Sequence, residues 1–251
     1  MSDCCLKGLR WEAETAGREG NVAGLDCYIA GTNRDVAIIV IHDLFGWTFK
    51  NIRILADHFA DEVNATVYVP DWIRPSSFGG EILPTDVLFD KSRFGEIDLP
   101  AFLKRNSRAT REPEIIKFAE WLRASYSRVG AMGYCYGGWA VFRLAAKDKN
   151  LVDCISTAHP SMLQKEDIAS TGVPTQILAP EFDHMFTAEL KAYSQQTLPD
   201  THVPYDYQYF PGLEHGFAIR GDARKEGERK GMERAKNAAS LWFREWLQQN
   251  N

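Results

Sequence analysis

Cys135, Asp183 and His215 are the side chains whose types and chain order suit nucleophilic catalysis. Cys135 is the centre of Gly133-Tyr134-Cys135-Tyr136-Gly137-Gly138, a G-x-S-x-G nucleophile elbow with cysteine in place of serine. An apolar run at 129–132 leads in and a helix-like run at 138–146 leads out. A strand that turns sharply into a helix strains its central residue, and small residues two positions away on either side let the two elements approach. The result is an exposed side chain at a helix N-terminus, where the dipole favours a thiolate. The backbone N–H of Tyr136 is there a candidate oxyanion donor. The competing reading is a free cysteine buried as a small apolar residue. The flanking glycines and the strand–helix context weigh against it.

A thiol nucleophile needs a base and a carboxylate, in the order nucleophile, acid, histidine. Residues 173–180 (VPTQILAP) read as a strand, followed by Glu181-Phe182-Asp183-His184. Asp183 is preferred to Glu181 because it lies deeper in the loop before a helix expected at 187–197. Residues 205–210 (YDYQYF) alternate as a late strand, and a Gly-rich loop after it carries His215. His184 adjoins the acid and reaches the nucleophile poorly; His202 precedes the last strand, at the wrong end of the sheet.

These residues need a sheet to bring them together. Residues 36–42 (VAIIVIH) form a continuous apolar run, the mark of a strand buried on both faces. It delivers His42-Asp43-Leu44-Phe45-Gly46 to the edge where α/β sheets hold their sites. Asp43 reads either as a site contact or as a turn or capping residue. Further strands are expected at 65–70 and 152–158, with helices at 49–63 and 112–127. His159 reads as a turn residue at the active edge. A terminal helix at 223–249 is expected to turn Ala235, Ala238, Ala239, Leu241, Trp242 and Trp246 to the core. Two antiparallel edge strands are expected at 8–12 and 23–30. Periodicity fails over 73–110, which reads as a lid or substrate loop. It is rich in arginine, and one or two of these, like Arg220 just past His215, are candidates to bind a substrate carboxylate. Surface charge is the competing reading for each. Strands and helices alternate without a repeat or a second core. One α/β domain over 1–251 follows, with a doubly wound, mainly parallel sheet flanked by helices.

Composition narrows the partners. The chain of 251 residues is 45% hydrophobic and 25% charged, with a net charge of −5 and a pI near 5.7. No basic block suggests nucleic acid, and no apolar run approaches the roughly 18 residues of a membrane span. The first residues lack the apolar stretch of a secretory signal. Five cysteines without a C-x-x-C pair suggest neither zinc nor a disulfide framework. A cytoplasmic, reducing setting is expected.

The GYCYGG elbow, the later Asp183, His215-Gly216-Phe217 and the HDLFG loop resemble the dienelactone hydrolase family of α/β hydrolases, over nearly the whole chain. The segments CCLKG, RNSRATREPEI and HGFAIRGD are most similar to fungal members. The resemblance implies an α/β-hydrolase fold and a Cys135–His215–Asp183 triad acting on a small-molecule lactone or ester, with no metal or cofactor. It also implies a second oxyanion donor on the loop after the first central strand, assigned to the backbone of Leu44. Bacterial members carry Glu in that loop, where it partners the resting thiol; Asp43 stands there in this sequence, one methylene shorter. Two alternatives use the same residues: a thioesterase or acyl hydrolase on a pathway intermediate, and a thiol-sensing protein without turnover. Oligomeric state, monomer or homodimer, stays open.

Overall fold

The structure, a computed structural model, describes residues 14–72 and 98–248. Its first element is a hairpin of β1 (Arg18–Val22) and β2 (Leu25–Ala30). Ala23 and Gly24 form its turn, with φ of +51° and +85°. That pair of left-handed residues matches the twist of a tight hairpin. The first strand therefore lies at 18–22; the expected strand at 8–12 lies outside the described residues.

Next come β3 (Val36–Ile41), α1 (Lys50–Val63) and β4 (Thr66–Pro70). Two helices follow, α2 (Leu99–Arg105) and α3 (Arg108–Ser125), then β5 (Arg128–Tyr134) and α4 (Gly137–Leu144). The chain continues through β6 (Cys154–Ala158), α5 (Lys165–Ala169), β7 (Thr175–Phe182) and α6 (Ala188–Thr197). It closes with β8 (Tyr205–Glu214), α7 (Phe217–Arg220) and α8 (Glu226–Leu247).

The eight strands order as β1-β2-β4-β3-β5-β6-β7-β8. β2 meets β4 antiparallel, and every pair from β4 to β8 is parallel. All six residues of β3 are buried. Ala37, Ile39 and Ile41 join one core, with Phe118 and Leu122 of α3 and Trp139 of α4. Val36, Ile38 and Val40 join the other, with Leu55 and Phe59 of α1 and Phe243 of α8. A strand sandwiched this way has no polar face, which is why its run is continuous. β4 and β5 flank β3 on opposite sides, so the order of winding reverses there. The crevice outside the C-terminal ends of β3 and β5 is the switch point where such sheets bind ligands.

The expected loop at 73–110 is corrected in its described part. Residues 73–97 lie outside the described residues. Asp98 caps α2 by accepting the Ala101 N–H at 3.0 Å, and Pro100 is tolerated in the first turn. Helix α3 begins at Arg108 rather than at 112. Arg111 is buried because Asn106 Oδ1 accepts from its Nε and Nη2 at 3.0 and 2.8 Å, and Glu114 pairs with its Nη1 at 2.9 Å. Arg108 pairs with Asp167. Leu241 is 62% exposed instead of facing the core, because the helical period puts it opposite Ala235 and Ala239. Among the described residues, no helix is long and apolar enough to cross a membrane.

Candidate active site

Between β5 and α4 the chain turns at Cys135, whose φ is +48°. A non-glycine residue in the left-handed region costs about 1–2 kcal/mol, so its surroundings must hold it there. They do so through the backbone. The Cys135 N–H donates to Ala158 O at 3.2 Å, and its carbonyl accepts from Gly138 N at 2.9 Å and Ser161 N at 2.8 Å. The glycines allow close approach. A Cβ on Gly137 would lie 2.0 Å from Ile41 O, and one on Gly138 would lie 2.3 Å from Pro160 Cβ. The elbow is thus wedged between the ends of β3 and β6.

The structure brings Cys135, Asp183 and His215 together at the C-terminal edge of the sheet. His215 Nε2 lies 3.1 Å from Cys135 Sγ, and its Nδ1 lies 2.9 Å from Asp183 Oδ1. The Asp183 side chain is fully buried. Its Oδ1 also accepts the N–H groups of Met185 and Phe186 at 2.8 and 2.9 Å. Burial opposes its ionisation, but the His215 contact and these N–H groups outweigh burial and hold the carboxyl below its ordinary value. Burial likewise pushes His215 down, yet its bonds to Asp183 and Cys135 prevail and lift it to about 9. At neutral pH this favours an imidazolium facing the sulfur.

The neighbouring polar groups take other positions, and among them His159 departs from its expectation. Glu181 accepts the Gly212 N–H at 2.7 Å, tying the end of β7 to β8. His184 is exposed, with its ring 5.8 Å from that of His215. His159, read as a turn residue, is fully buried with φ of +41°. Its ring meets that of His215 edge-on at 5.0 Å, and neither ring nitrogen has a hydrogen-bond partner in another of the described residues. Burial, reinforced by the charges of His215 and Arg220, pushes its pKa well down, so it stays neutral beneath the imidazolium. Ser161, which no sequence motif singles out, places its Oγ 3.4 Å from Cys135 Sγ. One signal was available: His159-Pro160-Ser161 leaves β6 at the same edge as the elbow.

Asp43 makes no hydrogen bond to the thiol among the described residues. Its Oδ2 pairs with Arg220 Nη1 at 2.5 Å, and its Oδ1 accepts the Phe45 N–H at 3.0 Å. The Arg220 guanidinium also lies over the Phe45 ring, 4.7 Å from its centre. The Asp43 side chain is fully buried and that of Arg220 is 20% exposed. Removing one member strands the other charge. Arg220→Ala is therefore expected to cost about 2–4 kcal/mol of stability. It should slow a carboxylated and a neutral ester alike, measured by thermal melting and parallel kcat/KM. Selective loss on the carboxylated ester would instead make Arg220 a substrate contact. The backbone N–H groups of Leu44, in the loop after β3, and of Tyr136, in the elbow, take no hydrogen-bond partner among the described residues. The described residues contain no group of three or more His, Cys, Asp or Glu placed to hold a metal ion.

Comparisons with known proteins agree with this architecture. The family model for the dienelactone hydrolase family matches residues 25–249. The hydrolase tropI of Talaromyces stipitatus is 27% identical, over 98% of this chain and 96% of its own length. The human carboxymethylenebutenolidase homolog is 29% identical, over 86% of this chain and 85% of its own. In fold, the crystal structure of a dienelactone hydrolase from Anabaena variabilis superposes with a TM-score of 0.64 at 14% identity, covering 92% of this chain and 99% of the other. The chain belongs to the dienelactone hydrolase family and is a carboxylic ester hydrolase with the α/β-hydrolase fold.

Proposed function

We propose that the protein hydrolyses a lactone or activated ester through a Cys135–His215–Asp183 triad and a thioester acyl-enzyme. One observation carries this reading: a single imidazole reaches both the sulfur, at 3.1 Å, and the carboxylate, at 2.9 Å. Asp183 holds the ring with Nδ1–H toward itself and Nε2 toward the sulfur. The Cys135 thiolate forms a bond to the ester carbonyl carbon, and the carbonyl electron pair moves to oxygen. The N–H groups of Leu44 and Tyr136 receive that oxyanion, each worth about 3–4 kcal/mol in such sites. Collapse expels the leaving oxygen, which takes the Nε2 proton of His215. In a lactone this oxygen remains tethered to the acyl group. His215, now neutral, then deprotonates water for attack on the thioester, and the acid product leaves. Thiolate is a good leaving group, so the tetrahedral intermediate returns to reactant unless the other group also leaves readily. Activated esters, enol-lactones and thioesters therefore suit it better than amides.

Turnover against enol-lactones, aryl esters and acyl-thioesters tests the reading, with mass spectrometry of the Cys135 peptide to trap the acyl group. An acyl adduct on Cys135 with lactone or aryl-ester turnover is expected. Turnover confined to acyl-thioesters would assign a thioesterase, and oxidation of Cys135 without turnover of any substrate would assign a thiol sensor.

A pH dependence follows from His215. Its proton is needed by a poor leaving group, and it is lost as pH rises through about 9. For an alkyl ester, kcat/KM is expected to fall above that pH. A nitrophenyl ester, whose leaving group needs no proton, should fall much less. An alkyl-ester profile level beyond pH 10 would remove His215 as the acid.

A further inference from the structure

Ser161 is bound to the nucleophile twice, and the segment carrying it is shaped to do so. Its side chain is almost wholly buried, its N–H donates to Cys135 O at 2.8 Å, and its Oγ lies 3.4 Å from Cys135 Sγ. Two strained residues bracket it, His159 with φ of +41° and Met162 with φ of +56°. Arg108 anchors the far end. Its Nη1 donates to Met162 O at 2.9 Å while the guanidinium forks onto both oxygens of Asp167 at 2.7 and 2.8 Å. On the near side, the bare Cα of Gly138 gives Pro160 the space that a Cβ would take. Strain and anchoring together fix the hydroxyl against the sulfur; a surface turn would relax.

The direction of this hydrogen bond follows from charge. His215 holds a proton at neutral pH and points Nε2 at the sulfur. Acting as nucleophile, the sulfur is a thiolate with no proton to give, so in that form the hydroxyl, 3.4 Å away, is the donor. We propose that Ser161 is a second hydrogen-bond donor to the Cys135 thiolate, which at rest lies between the His215 Nε2–H and the Ser161 O–H. This rests on Cys135 being the nucleophile. Ser161 gains and loses no proton in the reaction. Its bond is strongest to the full charge of the resting thiolate and weakens as the sulfur bonds to carbon and charge passes to the carbonyl oxygen. Ser161 thus favours storage of the nucleophile in reactive form at lower pH, at some expense of its intrinsic reactivity.

That trade gives a signature which packing alone does not produce. Alkylation of Cys135 by iodoacetamide is followed across pH by mass spectrometry of its peptide, for the wild type, Ser161→Ala and Ser161→Thr. In Ser161→Ala the profile should move to higher pH. Its rate at pH 6 should fall roughly threefold to tenfold, while the rate on the alkaline plateau stays equal or rises. Ser161→Thr, which keeps the hydroxyl, should retain the wild-type profile. Superimposable wild-type and Ser161→Ala profiles would overturn the proposal. So would a loss of equal size at every pH, plateau included, which marks a packing role. Failure of the underlying reading is seen separately, as ester turnover that survives Cys135→Ala.

Discussion

Cys135→Ala is expected to lower ester turnover by about 10⁴-fold or more, while the protein stays folded. The nucleophile forms the covalent bond of the first step, and no other described side chain stands in its place. Ser161 holds a hydroxyl 3.4 Å from the sulfur, but His215 Nε2 is directed at the sulfur. The melting temperature should move by less than about 3 °C. Alanine keeps the backbone contacts of residue 135 to Ala158, Gly138 and Ser161, and it meets the same strain at φ of +48°. Only the sulfur, at the bottom of the site, is lost. Turnover on an aryl ester with parallel thermal melting measures both. An alanine variant retaining a tenth of wild-type turnover would sink the covalent mechanism. Cys135→Ser should fold and react slowly, because a hydroxyl in a site built for a thiolate is rarely ionised.

The second large effect concerns stability. Gly137→Ala is expected to cost about 3 kcal/mol or more, which lowers the melting temperature by roughly 5–10 °C. The added Cβ would lie 2.0 Å from Ile41 O and 2.7 Å from Ile41 C. Ile41 closes β3 in the middle of the sheet, so backbone rather than a flexible side chain must yield. Relief would push α4 away from β3 and draw Cys135 away from His215, so turnover should fall too. Gly227→Ala is the control. It lies in the first turn of α8, where an added Cβ would meet nothing within 4 Å. Alanine there should be neutral or stabilising by up to about 1 kcal/mol. A Gly137→Ala protein that melts with the wild type would refute the close packing of the elbow.

Much of this arrangement was legible in the amino-acid sequence, for local reasons. A strand covered on both faces cannot carry polar residues, so VAIIVIH announced β3. The elbow announced itself because a strand-to-helix turn of this tightness admits only glycine at the positions facing Ile41 and Pro160. Asp183 and His215 followed from chain order, since parallel strands deliver successive loops to the same edge. Elements held by polar satisfaction were harder to read. Arg111 is buried in α3 by Asn106 and Glu114, and apolar periodicity does not register it. Leu241 carried an apolar side chain and faced outward all the same, because helical phase, not residue type, sets direction.

The sequence by itself determined the strand and helix alternation, the strained nucleophile and the order in which acid and base come. Tertiary structure alone decided which side chains those three meet. Asp43 and Arg220 pair across 177 positions in the chain, which commits an Asp43 oxygen to the arginine. His159 lies under His215, and Ser161 lies against Cys135, because β6 is the neighbour of both β5 and β7. The reason is physical: backbone preference acts over a few residues, whereas contacts between strand ends depend on the order in which the strands pack, and that order is a property of the whole sheet.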